Sequence, residues 1–289
     1  LPYRILKSLL KVRTIFKEFK PTLVIGTGGY ASALPLFMAT LQKKSIPIVL
    51  QEQNSFAGIT TRWFSKKANL ICTAFETDNL ISNNKLVITG NPIRNNIISG
   101  DKTKALRFYG MDIEKKTLFV FGGSQGSTVL NKSMENIIKN FDDQSIQTLW
   151  QTGDHDYNKY KKYKSNTIKV VPFINDMAAA YALSDLVVCR SGALTLSEVT
   201  TCGKPSILIP FAAAAGNHQM KNAETLYQAG ASILIEEKDL NSDKLFKNIN
   251  YLINNKNTLE KMSVAAKALG KPNATKKITD HVIDMVSNV

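Results

Sequence analysis

The sequence predicts an α/β fold of two doubly wound domains, and three observations carry that prediction. First, short runs that are apolar throughout, "TLVIG", "IPIVLQ", "TLFVFGG", "DLVVC" and "PSILIP", alternate with longer helix-like segments along the 289 residues. Strands apolar throughout are covered on both faces, which is the condition of a parallel sheet flanked by helices. Second, glycine-rich turns follow several of these runs and lead into helices. Third, "VITGNPIRNN", punctuated by Gly90, Asn91 and Pro92, divides the alternation into two blocks. A hydrophobic content of 44% over this length supports two filled cores.

The first block covers residues 1–92. It opens with a helix from Pro2 to Phe19, then gives the strand "TLVIG", a glycine-rich turn, a helix and the strand "IPIVLQ". Only two or three strands are counted before the join. The second block, 93–272, runs from "TLFVFGG" into a helix ending near Asn140. It continues through "IQTLWQTG", "IKVVPF", a helix to Tyr181, "DLVVC", a helix, "PSILIP", a helix to Ala229, and "ASILIE". The tail from about 273 to 289 reads as a helix returning to the first block.

Charged residues are 21% of the chain, with no long low-complexity tract, which excludes a disordered protein. The longest apolar stretch, Ala31 to Leu41, contains Pro35 and is too short to span a bilayer. No signal peptide is visible, although the chain does not begin with Met. Cys72, Cys189 and Cys202 are odd in number and show no pairing pattern, which fits a reducing, cytosolic compartment. The formal net charge of +14 favours anionic partners: nucleic acid, acidic lipid or phosphorylated small molecules. Zinc-ligand spacing, RNA-binding aromatic strands and basic-region heptads are all missing, so no nucleic-acid partner is expected.

Three turns stand out: "GTGGYAS" (Gly26 to Ser32), "GGSQGS" (Gly122 to Ser127) and "CRSGALTLSE" (Cys189 to Glu198). Each ends a strand and opens toward a helix. Glycine lets the backbone approach a ligand closely, and free amides at a helix start attract phosphate. None is a P-loop, and none is a clean G-x-G-x-x-G fingerprint. Taken singly, each has an equally good structural explanation as a tight connection. In the third, Thr195 and Glu198 have the T-x-x-E spacing of a capping box. Three such turns in one chain point to an anionic ligand, at the carboxyl ends of the strands.

The first helix carries Arg4, Lys7, Lys11, Arg13, Lys17 and Lys20 against one acid, Glu18. Ile5, Leu9, Val12, Phe16 and Phe19 form a core-facing stripe, with Leu6 and Leu10 beside it. From these residues alone an ordinary docking helix is the commoner reading. A surface for anionic lipid is the rarer one.

The motifs "GTGGYAS", "EQNSFAGIT", "GNPIR", "FGGSQGS", "VPFINDMAAAYALSDLVVCRSGALTLSE" and "HQMKNAETLYQAGAS" run in one order over nearly the whole chain. In this the sequence resembles the MurG family, the N-acetylglucosaminyltransferases of peptidoglycan synthesis. The resemblance implies a GT-B fold of two Rossmann-like domains, the first incomplete at its N-terminus, with no cofactor and no metal. It implies inverting transfer of N-acetylglucosamine from UDP to lipid I, giving lipid II, at the cytoplasmic face of the bacterial plasma membrane. On the donor side, Ser124 would face the diphosphate with Arg94 nearby, and Ile174 would meet the uracil edge through its backbone. Ala193, Leu194, Thr195, Leu196, Ser197 and Glu198 would line the nucleotide, with Glu198 on the ribose hydroxyls. Asn54 and Gln219 would contact the sugar.

On the acceptor side the resemblance implies Gly28, Gly29 and Tyr30. It also turns Arg4, Leu6, Lys7, Leu10 and Lys11 into a membrane patch. The family's "GGTGGH" loop, with its histidine base, has no counterpart here, which leaves Glu52 as the in-chain candidate for the base. Ala57 and Ala212 stand where proline is usual, Thr61 where asparagine is usual, and Gly216 where an acid is usual. Asp142-Asp143 reads as a solvated pair at a helix end, and His155, His218 and His281 take no role. The rivals are another GT-B UDP-sugar enzyme, such as a 2-epimerase, and a non-catalytic UDP-sugar-binding fragment.

Overall fold

The computed structural model describes residues 2–42, 46–77, 80, 85–141 and 146–287. Asp142 and Asp143 lie outside these. The chain divides into two compact units, residues 1–92 with 272–289, and residues 93–271.

The first unit runs α1 (Pro2–Phe19), β1 (Val24–Gly26), α2 (Gly29–Thr40), β2 (Ile48–Glu52), α3 (Ile59–Phe64), β3 (Leu70–Thr73) and β4 (Leu86–Ile88). The strands form a parallel sheet in the order β1-β2-β3-β4. Four strands replace the expected two or three. β4 escaped because it is three residues long, lies at the sheet edge, and leaves Ile88 exposed, so it lacks a buried strand's apolar run.

Successive residues point to opposite faces of a sheet, and here each face has its own core. Leu50 and Ile71 pack with Leu36, Ala39, Phe64 and Phe16 from α2, α3 and α1. Val49, Leu70 and Cys72 pack instead against Ile278, Val282 and Met285. These belong to the last helix, Ala274–Ser287, which thereby covers the second face.

The second unit begins with α4 (Lys102–Tyr109), β5 (Lys116–Phe121), α5 (Thr128–Glu135), β6 (Ile146–Gln151) and α6 (Asp154–Tyr160). It continues with β7 (Ile168–Val171), α7 (Met177–Leu183), β8 (Leu186–Cys189), α8 (Ala193–Thr201) and β9 (Ser206–Leu208). It closes with α9 (His218–Gln228), β10 (Ser232–Leu234), α10 (Ser242–Ile253) and α11 (Lys256–Leu269). The last helix of the chain is α12.

All six strands are parallel, in the order β10-β9-β8-β5-β6-β7. Counted from β5, this is the 3-2-1-4-5-6 order of a doubly wound dinucleotide-type sheet. The chain leaves β5 in one direction and resumes at β8 in the other, so the switch point lies between those two strands. Leu118 to Phe121 and Leu186 to Cys189 are buried throughout, as an interior parallel pair requires.

Asp101, Ser127, Asp176, Asn241 and Asn255 cap helices by accepting a backbone N–H two or three residues inside. α5 stops at Glu135 rather than near Asn140. A 3-10 turn at Ile138–Phe141 follows and buries both of its terminal side chains. Among the described residues no helix is long and apolar enough to cross a membrane.

Candidate functional site

At the switch point two loops meet at the carboxyl ends of β5 and β8, where open parallel sheets bind ligands. The first is Gly122–Ser127. Gly126 has φ +77°, and a Cβ there would run into the Thr152 carbonyl. Gly153, at φ +82°, would meet the Gln125 carbonyl in the same way. Only glycine on both sides lets these backbones touch, and the contact leaves Ser124 and Gln125 exposed at the loop tip.

The second loop, Arg190–Gly192, opens α8. Its N-cap is Gly192, with no side-chain cap, and the helix already runs from Ala193. This corrects the capping-box reading: Thr195 sits inside the first turn, and Glu198 one turn further along. The helix period sorts the expected lining residues. Leu196 is fully buried and Ala193 nearly so, so Leu196 packs in the core and offers a ligand no side chain. Leu194 is exposed, and Thr195, Ser197 and Glu198 are half-buried. Ser197 spends its hydroxyl proton on the Ala193 carbonyl at 2.9 Å.

Glu198 receives a hydrogen bond from the fully buried Tyr181 hydroxyl at 3.2 Å. Burial holds its carboxyl above the ordinary range, against the opposing pull of that hydrogen bond and of the Arg94 charge. Burial pushes the Tyr181 phenol well up as well, so it stays a neutral donor. Arg94 itself is exposed.

Gln151, at the end of β6, ties two loops together. Its Nε2 donates to the Gly123 carbonyl at 2.9 Å, and its Oε1 accepts from the Ile174 N–H at 2.9 Å. The uracil contact expected of Ile174 therefore cannot use that N–H without displacing Gln151. Gln219 accepts from Phe211 N at 3.0 Å through Oε1, while its carbonyl accepts from Ser191 Oγ at 2.7 Å. Gly216 has φ +60°, in the left-handed region that favours glycine.

In the first unit, Glu52 ends β2 with its carboxylate buried. It accepts from Thr61 Oγ1 at 2.6 Å, Gly58 N at 3.0 Å, Asn54 N at 3.1 Å and Asn54 Nδ2 at 3.3 Å. All four donors come from its own loop. Gly28 and Gly29 have φ of +83° and +68°, and Thr60 Oγ1 donates to the Gly29 carbonyl at 3.0 Å. Tyr30 is left 85% exposed. On α1, Arg4, Leu6, Lys7, Leu10 and Lys11 are all exposed. Ile5 and Phe19 are exposed too, so the docking stripe shrinks to Leu9, Val12 and Phe16. Trp63 on α3 is 71% exposed and went unmarked in the sequence, where a lone Trp in a helix reads as core.

Two parallel α/β units, the second with its glycine loops at a switch point, make this a GT-B protein. The glycosyltransferase family 28 C-terminal domain profile matches residues 117–278, and the N-terminal domain profile of that family matches residues 1–73. Two proteins named UDP-N-acetylglucosamine–N-acetylmuramyl-(pentapeptide) pyrophosphoryl-undecaprenol N-acetylglucosamine transferase are close in sequence. That of Christiangramia forsetii is 38% identical over 99% of this chain and 78% of its own length. That of Finegoldia magna is 42% identical over 97% and 77%. The MurG structure of Acinetobacter baumannii superposes with a TM-score of 0.79 at 29% identity, over 100% of this chain and 81% of its own. A UDP-N-acetylglucosamine 2-epimerase superposes at 0.69 with 16% identity, over 97% of this chain and 77% of its own, and shares the fold alone. The chain belongs to the MurG family of N-acetylglucosaminyltransferases.

Proposed function

We propose that the chain transfers N-acetylglucosamine from UDP-N-acetylglucosamine to the 4-hydroxyl of the muramoyl sugar of lipid I, forming lipid II with inversion. One observation carries the donor half. A half-buried carboxylate, Glu198, stands on α8, the helix that opens at the switch point beside the Gly122–Ser127 loop, which is the chemistry of ribose hydroxyls next to a diphosphate.

The Gly122–Ser127 amides and the start of α5 face the diphosphate, and Arg94 adds a positive charge. Ser124, at the loop tip, offers it a hydroxyl. Thr195, Ser197 and the backbone around Ala193 and Leu194 border the nucleotide, and Gln219 reaches the sugar. As the acceptor hydroxyl attacks the anomeric carbon and releases its proton to water, the bond from that carbon to the β-phosphate oxygen breaks. The negative charge then gathers on departing UDP, where these donors are preorganised. Glu52 shapes the Asn54–Thr61 loop, and Gly28, Gly29 and Tyr30 border the acceptor. The test is product mass after incubation with UDP-N-acetylglucosamine and lipid I. UDP binding without lipid II would leave a binding protein and sink the transferase half.

UDP affinity is expected to depend on pH through Glu198. The ribose contact needs the ionised carboxylate, and its raised pKa means affinity falls, on acidification, at higher pH than an ordinary glutamate would give. Folding shows the opposite sign: the folded state holds the proton more tightly, so this group adds stability as pH falls through its folded pKa. Glu198→Gln should flatten the acid limb of a calorimetric UDP titration. An acid limb that persists in the variant assigns it to another group.

We further propose that α1 is the surface for anionic membrane, placing the protein peripherally at the cytoplasmic face; no nucleic-acid partner is invoked. The exposed Leu6 and Leu10 lie among Arg4, Lys7 and Lys11, the mix of apolar and basic side chains that an acidic lipid interface takes. The joint change Leu6→Glu and Leu10→Glu should cut sedimentation with phosphatidylglycerol vesicles several-fold while leaving UDP affinity unchanged. Undiminished sedimentation would place the lipid surface elsewhere.

A further inference from the structure

We infer that Arg190 is a positioning residue for the diphosphate loop, acting through Ser127 rather than touching the nucleotide. The inference rests on the reading of Gly122–Ser127 as a diphosphate cradle. An arginine at the mouth of such a site invites the simpler idea that it binds phosphate directly, and the geometry argues against it.

Arg190 is 7% exposed, and both terminal nitrogens of its guanidinium are already engaged. Nη1 donates to the carbonyls of Ile209 at 3.2 Å and Pro210 at 3.1 Å, and it forms a close ion pair with Glu237 Oε2. Nη2 donates to Ser127 Oγ at 2.9 Å. The Phe211 ring covers the guanidinium, with its centroid 5.5 Å from Cζ. The charge is thus balanced internally by Glu237.

What the arginine does hold is the loop's end. Ser127 Oγ accepts from Arg190 and, at 3.4 Å, from Leu130 N as the N-cap of α5. One planar fork therefore joins the cap that terminates the glycine loop to the chain leaving β9, which carries on to Gln219. Lysine has the charge but not the fork, and its single nitrogen cannot span the acceptors that Nη1 and Nη2 hold apart.

The experiment compares UDP with uridine by calorimetry. Uridine reports the base and ribose contacts, and UDP adds the diphosphate. Arg190→Lys should lower UDP affinity about tenfold, the loss of a well-placed loop contact, and leave uridine within about twofold. Ser127→Ala should show the same split, and the double variant Arg190→Lys/Ser127→Ala should lose little more than either single one. Should Arg190→Lys fail to give a cooperative melt, Ser127→Ala decides alone. A variant that keeps the wild-type UDP-to-uridine ratio, or weakens both ligands equally, overturns the positioning role. Losses that add in the double variant show that Arg190 does not act through Ser127. A wild-type protein that binds uridine as tightly as UDP overturns the reading of the loop itself, and with it this inference.

Discussion

Glu198→Ala should weaken UDP binding by about ten- to a hundredfold, the worth of one or two hydrogen bonds to a charged acceptor at about 1.5–3 kcal/mol in all. The fold should survive. The variant deprives the Tyr181 hydroxyl of its acceptor, a cost of about 1–3 kcal/mol. It also removes a carboxylate that burial disfavours, which works in the opposite direction. Tyr181 stays packed edge-on against Phe119 and Phe121, at centroid distances of 5.8 and 6.3 Å. A sharper control changes the ligand. If Glu198 reads the ribose, wild-type protein should prefer UDP over 2′-deoxy-UDP, and Glu198→Ala should not distinguish them. Equal wild-type titrations with both ligands would remove the ribose role.

The contrast between what the sequence disclosed and what it hid has a physical cause. β5 and β8 were legible because interior parallel strands must be apolar on both faces, and that leaves continuous runs. The Gly122–Ser127 loop was legible because close backbone approach demands glycine at Gly126, whereas its partner Gly153 emerged only in the structure. β4 was not, being short and at the edge, and the break at the end of α5 depends on tertiary burial of Ile138 and Phe141.

Within the site, periodicity reports which side of a helix is covered but not which polar atom meets which. Gln151, Tyr181 and Arg190 looked like ordinary strand-end or helical residues, and their partners stand between 17 and 63 positions away. The T-x-x-E spacing misled for a related reason. A capping box needs a particular helix start, and Gly192, with extended backbone, takes the cap three residues earlier. Among the departures from the family pattern, Thr61 acquires a reason only in the structure: its hydroxyl makes the shortest hydrogen bond to Glu52.

That bond bears on the second large effect. Glu52→Ala should destabilise the first unit by about 2–4 kcal/mol, because it removes the acceptor of the buried Thr61 hydroxyl and of the half-buried Gly58 and Asn54 donors. Thr61 is 1% exposed and Glu52 itself 3%. Oε1 serves Asn54 twice, and Oε2 serves Gly58 N and Thr61 Oγ1. Glu52→Gln distinguishes an organiser of the loop from a catalytic base. Glutamine has the same shape, but one of its two terminal atoms is a donor, so whichever way the amide turns it meets the backbone N–H of either Asn54 or Gly58 donor to donor. An organiser therefore predicts that alanine and glutamine both lower the melting temperature by several degrees, and that turnover falls with it. A base predicts a further sign: glutamine abolishes turnover outright even where the variant is fully folded, whereas an organiser leaves turnover that tracks the folded fraction. Differential scanning calorimetry alongside the lipid II assay separates the two. All four hydrogen bonds to the carboxylate come from within residues 54–61, the pattern of a group that shapes its own loop, and the expected outcome is the joint loss.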